Sequence, residues 1–562
     1  MKFIALLIIL SMGALRGAPM LKAQGANQYA YQPQSVKRIF MAKAYAGQSF
    51  QLMSADGKIV YSGQLSQSQK WPQSGTEVCY ADLSGFTSAG QYELVVDGHK
   101  AHVPVTIKGD SYKTLGQALV KSYYMARVSE PIKEEYAGVY ARPLGHADTK
   151  VKIHASAASA ARPEGTIISS PGGWYDAGDY GKYIVNSGIT TYSLLHLCEL
   201  FPQYSAAIAL NIPESGNGAS DVLNEAIINL KWMLTMQDPN DGGVYHKLTS
   251  KRFCGMVMPH NDPLERYVVM KTTAATLDFA ATMAKAYRVI KPFEKQYPGL
   301  ADQCLKAANE AWLWCEKNPA ILYQQPDDIS TGEYKDKDIS DEWFWAAAEM
   351  YLATGLNKYK GHMNSKEQDF IVPQWGNVNV LGLYSLQQAD QLPKAGEKAL
   401  LKMADRLYKA YDNSAYRISI TKFPWGSNSE LSNQGILLMH AYLLTKDAKY
   451  LAASDACVSY LLGANALGRS FVTGFGHNPP MNVHDRRCSA DAIADPIPGL
   501  LAGGPSRQAP HDCGVEAYPS TFPAMSYVDL ECSFSTNEIA INWNAAASLL
   551  VLGLDAIYVS EN

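Results

Sequence analysis

Beyond residue 110 the chain repeats one pattern. Apolar residues recur at three- and four-residue spacing in segments near 112–128, 185–200, 219–237, 271–290, 300–317, 341–354, 377–389, 394–411, 431–445, 447–461 and 538–554. About eleven helices in roughly 450 residues, with long Gly- and Pro-rich loops between them and little strand pattern, leave few folds open. A helix must bury its apolar stripe against another element, so paired antiparallel helices closing into a toroid, an α/α barrel, are expected. Such a toroid gathers its loops at one rim. The longest loops, 129–184, 238–270 and 462–536, carry Trp, His, Arg and Asp residues. Loops that long inside a compact domain are usually functional.

The stretch from Ser35 to Lys108 has another character. Short alternating runs such as Phe50-Gln-Leu-Met, Glu77-Val-Cys-Tyr-Ala-Asp and His102-Val-Pro-Val-Thr-Ile stand between Asp-Gly and Ala-Gly turns. They predict a small β-sandwich over 30–108, ahead of a helical domain over 110–562. With 562 residues, 47% of them hydrophobic, the chain is too long for one ordinary domain. Its first residues, Met1-Lys2 followed by an apolar run to Leu15 and a small-residue region ending near Ala23, read as a signal peptide over 1–23. The apolar run is shorter than the roughly 20 residues a bilayer crossing needs. No later segment is expected to span a membrane, and the absence of cysteine before Cys79 argues against a lipid anchor. A secreted or periplasmic protein, acting as a monomer, is expected.

Formal net charge is −4, without a long basic run, which speaks against nucleic acid and polyuronate partners. Nine cysteines lie without regular spacing, and their odd number leaves at least one unpaired. Cys488, Cys513 and Cys532 are able to meet on one surface. Cys304 and Cys315 fall within one helical pattern about 16 Å apart along its axis and are not expected to pair.

Three segments concentrate the chemistry. In Gly173-Trp174-Tyr175-Asp176-Ala177-Gly178-Asp179, small residues let the backbone turn so that two carboxylates are able to face one water. The alternative is an Asx-turn or helix cap for one aspartate and an ion for the other. Tyr527-Val-Asp529 to Glu538-Ile-Ala-Ile-Asn-Trp-Asn-Ala545 places an acid at the start of a helix. There Ser535-Thr-Asn-Glu538 fits a capping box, and a helix N-terminus lowers a carboxyl pKa. A general acid needs the reverse, so that role requires desolvation or nearby negative charge to outweigh the dipole. The third segment holds His484-Asp485-Arg486 in an extended loop, its His and Arg on one side as donors to hydroxyls, or else paired with Asp485 in a surface cluster. Loop tryptophans Trp375 and Trp425, each after a Pro and beside a Gly, suit stacking on sugar rings. One acid on a helix and two on a loop suggest glycosidic bond cleavage.

Together these segments resemble glycoside hydrolase family 9, the inverting endo-β-1,4-glucanases. The run Ser470 to Arg486 satisfies that family's histidine-containing signature, and Tyr527 to Ala545 its acidic signature. Tyr80-Ala-Asp82-Leu-Ser-Gly-Phe86 and its surroundings resemble the immunoglobulin-like module that precedes the barrel in one branch. The resemblance implies an (α/α)6 barrel with Asp179 as general base, Asp176 holding the attacking water and Glu538 as general acid. It also implies His484 and Arg486 on glucosyl hydroxyls, Asp529 in the charge network, and Trp375, Trp425 and Trp174 lining the cleft. Inversion implies acid and base carboxyls roughly 6.5–9.5 Å apart. A Cys/His zinc site of some members is not expected, because Tyr136-Ala-Gly-Val-Tyr-Ala-Arg-Pro-Leu-Gly-His146 has no cysteine. Asp341-Glu342 before Trp343 resembles a calcium site of the family, but the flanking residues do not match, which leaves the metal unassigned.

The expected activity is therefore hydrolysis of β-1,4-glucosidic bonds in cellulose, cellodextrins, mixed-linkage glucan or xyloglucan, with water as nucleophile and no cofactor required for the chemistry. No linker or carbohydrate-binding module is expected after the barrel, so soluble or branched glucans are the expected substrates. The alternatives are an exo-acting cellodextrinase on the same fold, a polysaccharide lyase, and a glycan-binding protein without turnover.

Overall fold

The computed structural model describes residues 24–99, 102–366, 368–507 and 511–561, so the expected signal peptide over 1–23 lies outside the described residues. Seven strands form the N-terminal unit: β1 (Arg38–Ala42), β2 (Ser49–Ser54), β3 (Ile59–Gln64), β4 (Gln69–Lys70), β5 (Glu77–Asp82), β6 (Gly90–Val96) and β7 (His102–Ile107). They pair as two antiparallel sheets, β1-β5-β4 and β3-β2-β6-β7. Between the sheets Ile39, Met41, Cys79 and Ala81 meet Phe50, Leu52, Leu94 and Val96 in a core of their own. Strand β1 escapes a sequence reading because both of its faces are covered. Ile39 and Met41 enter the sandwich core, while Phe40 turns outward onto Tyr416 of the helical domain, with ring centroids 4.9 Å apart. Its apolar residues therefore do not alternate with polar ones.

Among the described residues the helical domain carries eleven long helices: α1 (Ser111–Ala126), α2 (Ile184–Leu200), α3 (Asp221–Thr235), α4 (Thr273–Ile290), α5 (Leu300–Lys317), α6 (Ser340–Thr354), α7 (Asn379–Gln388), α8 (Lys394–Asn413), α9 (Ser427–Thr445), α10 (Ala448–Leu461) and α11 (Ile541–Ser560). Two kinds alternate along the chain. Helices α2, α4, α6, α7, α9 and α11 are buried nearly all round and form the inner ring, each packing on ring neighbours. The others are one-sided; α8 buries Gly396, Leu400, Met403, Ala404, Leu407 and Tyr411, a clean three-and-four repeat. Where a sixth outer helix would stand between α6 and α7, a single 3-10 segment, Asn357–His362, packs on α6 instead. The result is an (α/α)6 barrel.

Two sequence expectations need correction. Helix α11 is long and apolar enough by length and composition to cross a bilayer, although no segment after the N-terminus was expected to be; 89% of its most apolar window is buried in the barrel wall. It also begins at Ile541, three residues later than its periodicity suggests. A small sheet in the rim loops is a further addition: β8 (Val151–Ile153), β9 (Ile167–Ile168), β10 (Lys182–Tyr183), β11 (Lys247–Thr249) and β12 (Tyr267–Val268), in the order β10-β11-β12-β8-β9. These strands are too short for alternation to show. A disulfide joins Cys513 to Cys532, while Cys304 and Cys315 on α5 stay free, as does Cys488.

The two units are joined through a buried acid. Asp455 on α10 accepts the Val36 N–H at 2.7 Å and the Tyr112 hydroxyl at 2.5 Å, and burial raises its pKa to about 6. Arg38 of β1 reaches the Tyr411 hydroxyl of α8 at 2.5 Å. Asp455→Ala strands both donors away from water and is expected to cost about 1–3 kcal/mol in a urea unfolding titration.

Candidate active site

Between β9 and α2 the backbone folds back on itself: Asp176 N–H donates to Gly181 O at 3.1 Å, and the Asp176 carbonyl accepts Ile541 N–H at 2.8 Å, tying the loop to the start of α11. Both aspartates face the same cleft, and each is held. Asp176 accepts Asn186 Nδ2 on Oδ1 at 2.6 Å and the Tyr334 hydroxyl on Oδ2 at 2.7 Å. Asp179 accepts the Gly181 N–H at 2.9 Å and the Tyr183 hydroxyl at 3.2 Å, both on Oδ2, so Oδ1 is left for another donor. Gly178 stands between them. A Cβ there would lie 2.3 Å from the His484 carbonyl oxygen, so no side chain fits.

Glu538 is not in a helix. Its backbone is extended, with φ −66° and ψ 158°, and the residue is paired on both sides in short β-bridges, His484 with Glu538 and Ala502 with Ile539. The capping-box reading of Ser535-Thr-Asn-Glu538 therefore fails, and with it the helix dipole that would have lowered the carboxyl pKa. Burial instead pushes the Glu538 pKa well up, helped by the charges of Asp179 and Asp176 and opposed by Arg486 and the Gly178 N–H. Asp176 is raised as well, by burial first and the Asp179 charge second. A glutamate whose pKa is raised thus stands in one cleft with an aspartate pair.

That cleft, of about 550 Å³, is lined by Asp176, Asp179 and Glu538 together with Tyr183, Tyr334, Phe253, Trp375, Trp425 and Trp543. Trp375 meets Tyr334 edge-on at 5.2 Å, and Trp425, 41% exposed, lies 5.5 Å from Phe534. Both tryptophans thus line the cleft.

Four other expected residues stand elsewhere. Trp174 is fully buried, with its indole N–H on Glu225 at 2.9 Å, and Glu225 pairs with buried Arg127; it cannot touch a ligand. Arg486 is almost wholly buried and spends its guanidinium on Gly178 O at 2.6 Å and Cys254 O at 3.2 Å, which makes it a clamp on the aspartate loop rather than a donor to hydroxyls. The partner of Asp485 is Arg487, not Arg486 or His484. Asp529 accepts Met481 N–H and Asn482 N–H at 2.9 Å, Arg469 at 3.0 Å and Asn537 Nδ2 at 3.1 Å, so it braces the segments that carry His484 and Glu538 from outside the cleft. His484 carries hydrogen-bonding chemistry of the opposite sign to the donor role expected of it. Its Nδ1–H donates to Glu531 O at 2.6 Å and burial holds its pKa down, so the neutral ring has Nε2 as an acceptor.

Sequence reasoning missed Tyr183, Asn186, Tyr334 and Trp543. Tyr183 and Asn186 follow the aspartate loop closely and had a signal in that proximity. Tyr334 lies 158 residues from Asp176 in a loop without a motif and had none.

The acids near Asp341-Glu342 suit a hard cation by chemistry. Asp278 and Glu342 are buried with both carboxylate oxygens unpartnered, and burial raises both, with Asp341 and Asp336 adding negative charge. Asp341 already accepts Val378 N–H at 2.7 Å. Among the described residues, however, no three His, Cys, Asp or Glu side chains converge closely enough to hold an ion as they stand.

Comparison with known proteins gives this geometry a context. Residues 112–551 match the model of glycosyl hydrolase family 9, and residues 26–101 match the cellulase N-terminal ig-like domain. The chain is 42% identical over 555 residues to the xyloglucan-specific endo-beta-1,4-glucanase BoGH9A of Bacteroides ovatus, covering 95% of this chain and 94% of that protein. It is 33% identical over 523 residues to endoglucanase D of Acetivibrio thermocellus, covering 90% and 79%. A solved Bacteroides ovatus GH9 structure superposes with a TM-score of 0.89 at 40% identity, over 95% of this chain and 98% of the other.

An acid with a raised folded-state pKa costs stability as pH climbs above its unfolded value. Removing the Glu538 charge should therefore help. Glu538→Gln is expected to melt higher than wild type at pH 7, with the gain gone below the ordinary glutamate value of 4.5. A capping residue would instead melt lower at both, in the same thermal scans.

Proposed function

The chain belongs to glycosyl hydrolase family 9 and is a glycosidase of the endo-β-1,4-glucanase type, and from that premise we propose a mechanism and a substrate. The mechanism is single displacement with inversion. Asp179, anchored through Oδ2, takes a proton from water on its free oxygen, while Asp176, fixed by Asn186 and Tyr334, holds that water. As the water oxygen bonds to the anomeric carbon, the glycosidic C–O bond breaks and Glu538 gives its proton to the departing oxygen. The observation that carries this reading is one cleft holding an aspartate pair and a buried glutamate whose pKa burial pushes up, flanked by Trp375 and Trp425. His484 supports a leaving-side hydroxyl as acceptor, and Arg486 and Asp529 position the reacting groups.

The substrate is a soluble or branched β-1,4-glucan, with a xyloglucan backbone preferred. The support is the 42% identity to a relative named as xyloglucan-specific, across nearly the whole of both chains. The protein is exported through residues 1–23 and works as a monomer. A calcium ion held at Asp341 and Glu342, with Asp278 opposite, would neutralise the acidic cluster that underlies α6.

Asp179→Asn is expected to lower kcat by about 10²–10⁴-fold on xyloglucan while oligosaccharide binding persists. Anomer-resolved NMR of wild-type product should show the α-anomer first, and initial β-product would overturn inversion. Unsaturated product absorbing in the ultraviolet would point to a lyase. For the ion, the raised acids lose stability as pH rises from 4 to 7, so a chelator should lower the melting temperature at pH 7 more than at pH 4.5, and added calcium should restore it.

A further inference from the structure

A buried lysine without a carboxylate in contact stands behind the aspartate loop. Lys247 on β11 is paired in register with Tyr183 on β10 and has no exposed surface. Its Nζ donates to Gly332 O at 2.6 Å, Gln325 Oε1 at 3.1 Å, and Thr331 Oγ1 and O at 3.3 and 3.4 Å, all neutral acceptors. No ion pair of Lys247 occurs among the described residues. The ammonium lies 5.6 Å from the Tyr183 ring centroid and 5.3 Å from that of Tyr323.

Two neighbours of this cation, Tyr183 and the Thr331-Gly332 lip, lead to the cleft carboxylates. Tyr183 donates to Asp179 and packs on Tyr334 at 4.7 Å, and Tyr334 donates to Asp176. The lip that Lys247 grips, Thr331-Gly332, runs directly into Tyr334, and Gly332 and Glu333 line the cleft. The charged and titratable groups facing Nζ are Asp179 from the loop, Glu333 from the lip, Tyr183, Tyr323 and the buried, neutral His246. Glu333 also pairs with Lys335 at the surface. Burial brings the Lys247 pKa down to about 7, with Asp179 and Glu333 opposing.

We propose that Lys247 is a positioning residue of the hydrolytic centre: its ammonium fastens the Thr331-Gly332 lip that carries Tyr334, and it supplies the positive charge that Asp179 faces from behind Tyr183. The inference rests on Asp179 as the base. Its energetics run against a purely structural role. Two of the acceptors of Nζ have other donors: Thr331 O has Gln325 Nε2 and Gln325 Oε1 has Tyr323, while Thr331 Oγ1 shares a second hydrogen bond with Thr249 Oγ1. A neutral replacement deprives chiefly Gly332 O, and it removes a desolvated charge with no counter-ion.

Lys247→Met is the test, with xyloglucan kinetics and a thermal scan. The melting temperature should fall by no more than about 4 °C, the scale of one carbonyl losing its donor. The kcat value should drop at least about tenfold with KM changed less than about threefold, because the loss is felt in the transition state. A variant that unfolds or melts far lower makes Lys247 a structural residue and overturns the proposal. So does a stable variant with wild-type kcat. Asp179→Asn, measured alongside, separates the two readings: if it stays active the base assignment fails, and if it is inactive while Lys247→Met keeps wild-type kcat, only the role of Lys247 fails.

Discussion

The contact on which the rest of this site depends is between backbones, where Gly178 meets the His484 carbonyl with no room for a side chain. Arg486 closes that contact by binding Gly178 O, and His484 in turn pairs with Glu538 in a β-bridge. Residues 178, 484 and 538 are therefore brought side by side by main-chain geometry, before any side chain touches a substrate. The ends of α2 and α11 fix the same group from below, through Asn186 and the Ile541 N–H on Asp176. The positions of the three carboxyl groups follow from this lattice of short bonds, in which buried Arg486 and Asp529 take part without reaching the cleft.

Electrostatics builds on that geometry. Three carboxyl groups in one buried cleft cannot all ionise, and burial adds to their mutual repulsion. Glu538, without a helix dipole and close to two aspartates, has its pKa pushed up by burial, while Asp179 accepts a hydroxyl and an amide N–H. The carboxyl groups of the cleft thus differ in surroundings rather than in residue type. The barrel contributes inner helices packed on nearly every side, whose ends carry Asn186 and the Ile541 N–H that hold Asp176.

Much of this was legible in the chain itself. Helix positions were readable because an outer helix such as α8 has one dry face, and its three-and-four repeat survives in the letters. Strand β1 and the rim strands β10 and β11 were not, since one is covered on both faces and the others hold two or three residues each. Of the site, Asp176, Asp179 and Glu538 could be found because local turns and signatures mark them. Trp174 was misplaced for a related reason: it sits in the same Gly-rich stretch, but its ring turns away from the cleft to Glu225, and a side chain's direction is not written in its neighbours.

What the sequence determined by itself is the kind of molecule: a β-sandwich before a ring of helices, and acids of the right type in loops at one rim. Those properties rest on local periodicity and on residue chemistry, which act over a few positions. Tertiary structure alone decided that Glu538 lies in an extended bridge and not in a helical cap, that Arg486 clamps a loop, and that Tyr334 and Lys247 stand behind the aspartates. Each of these depends on partners far away in the chain, 158 residues between Tyr334 and Asp176 and 308 between Arg486 and Gly178, whose burial sets both the direction of a side chain and the proton it holds.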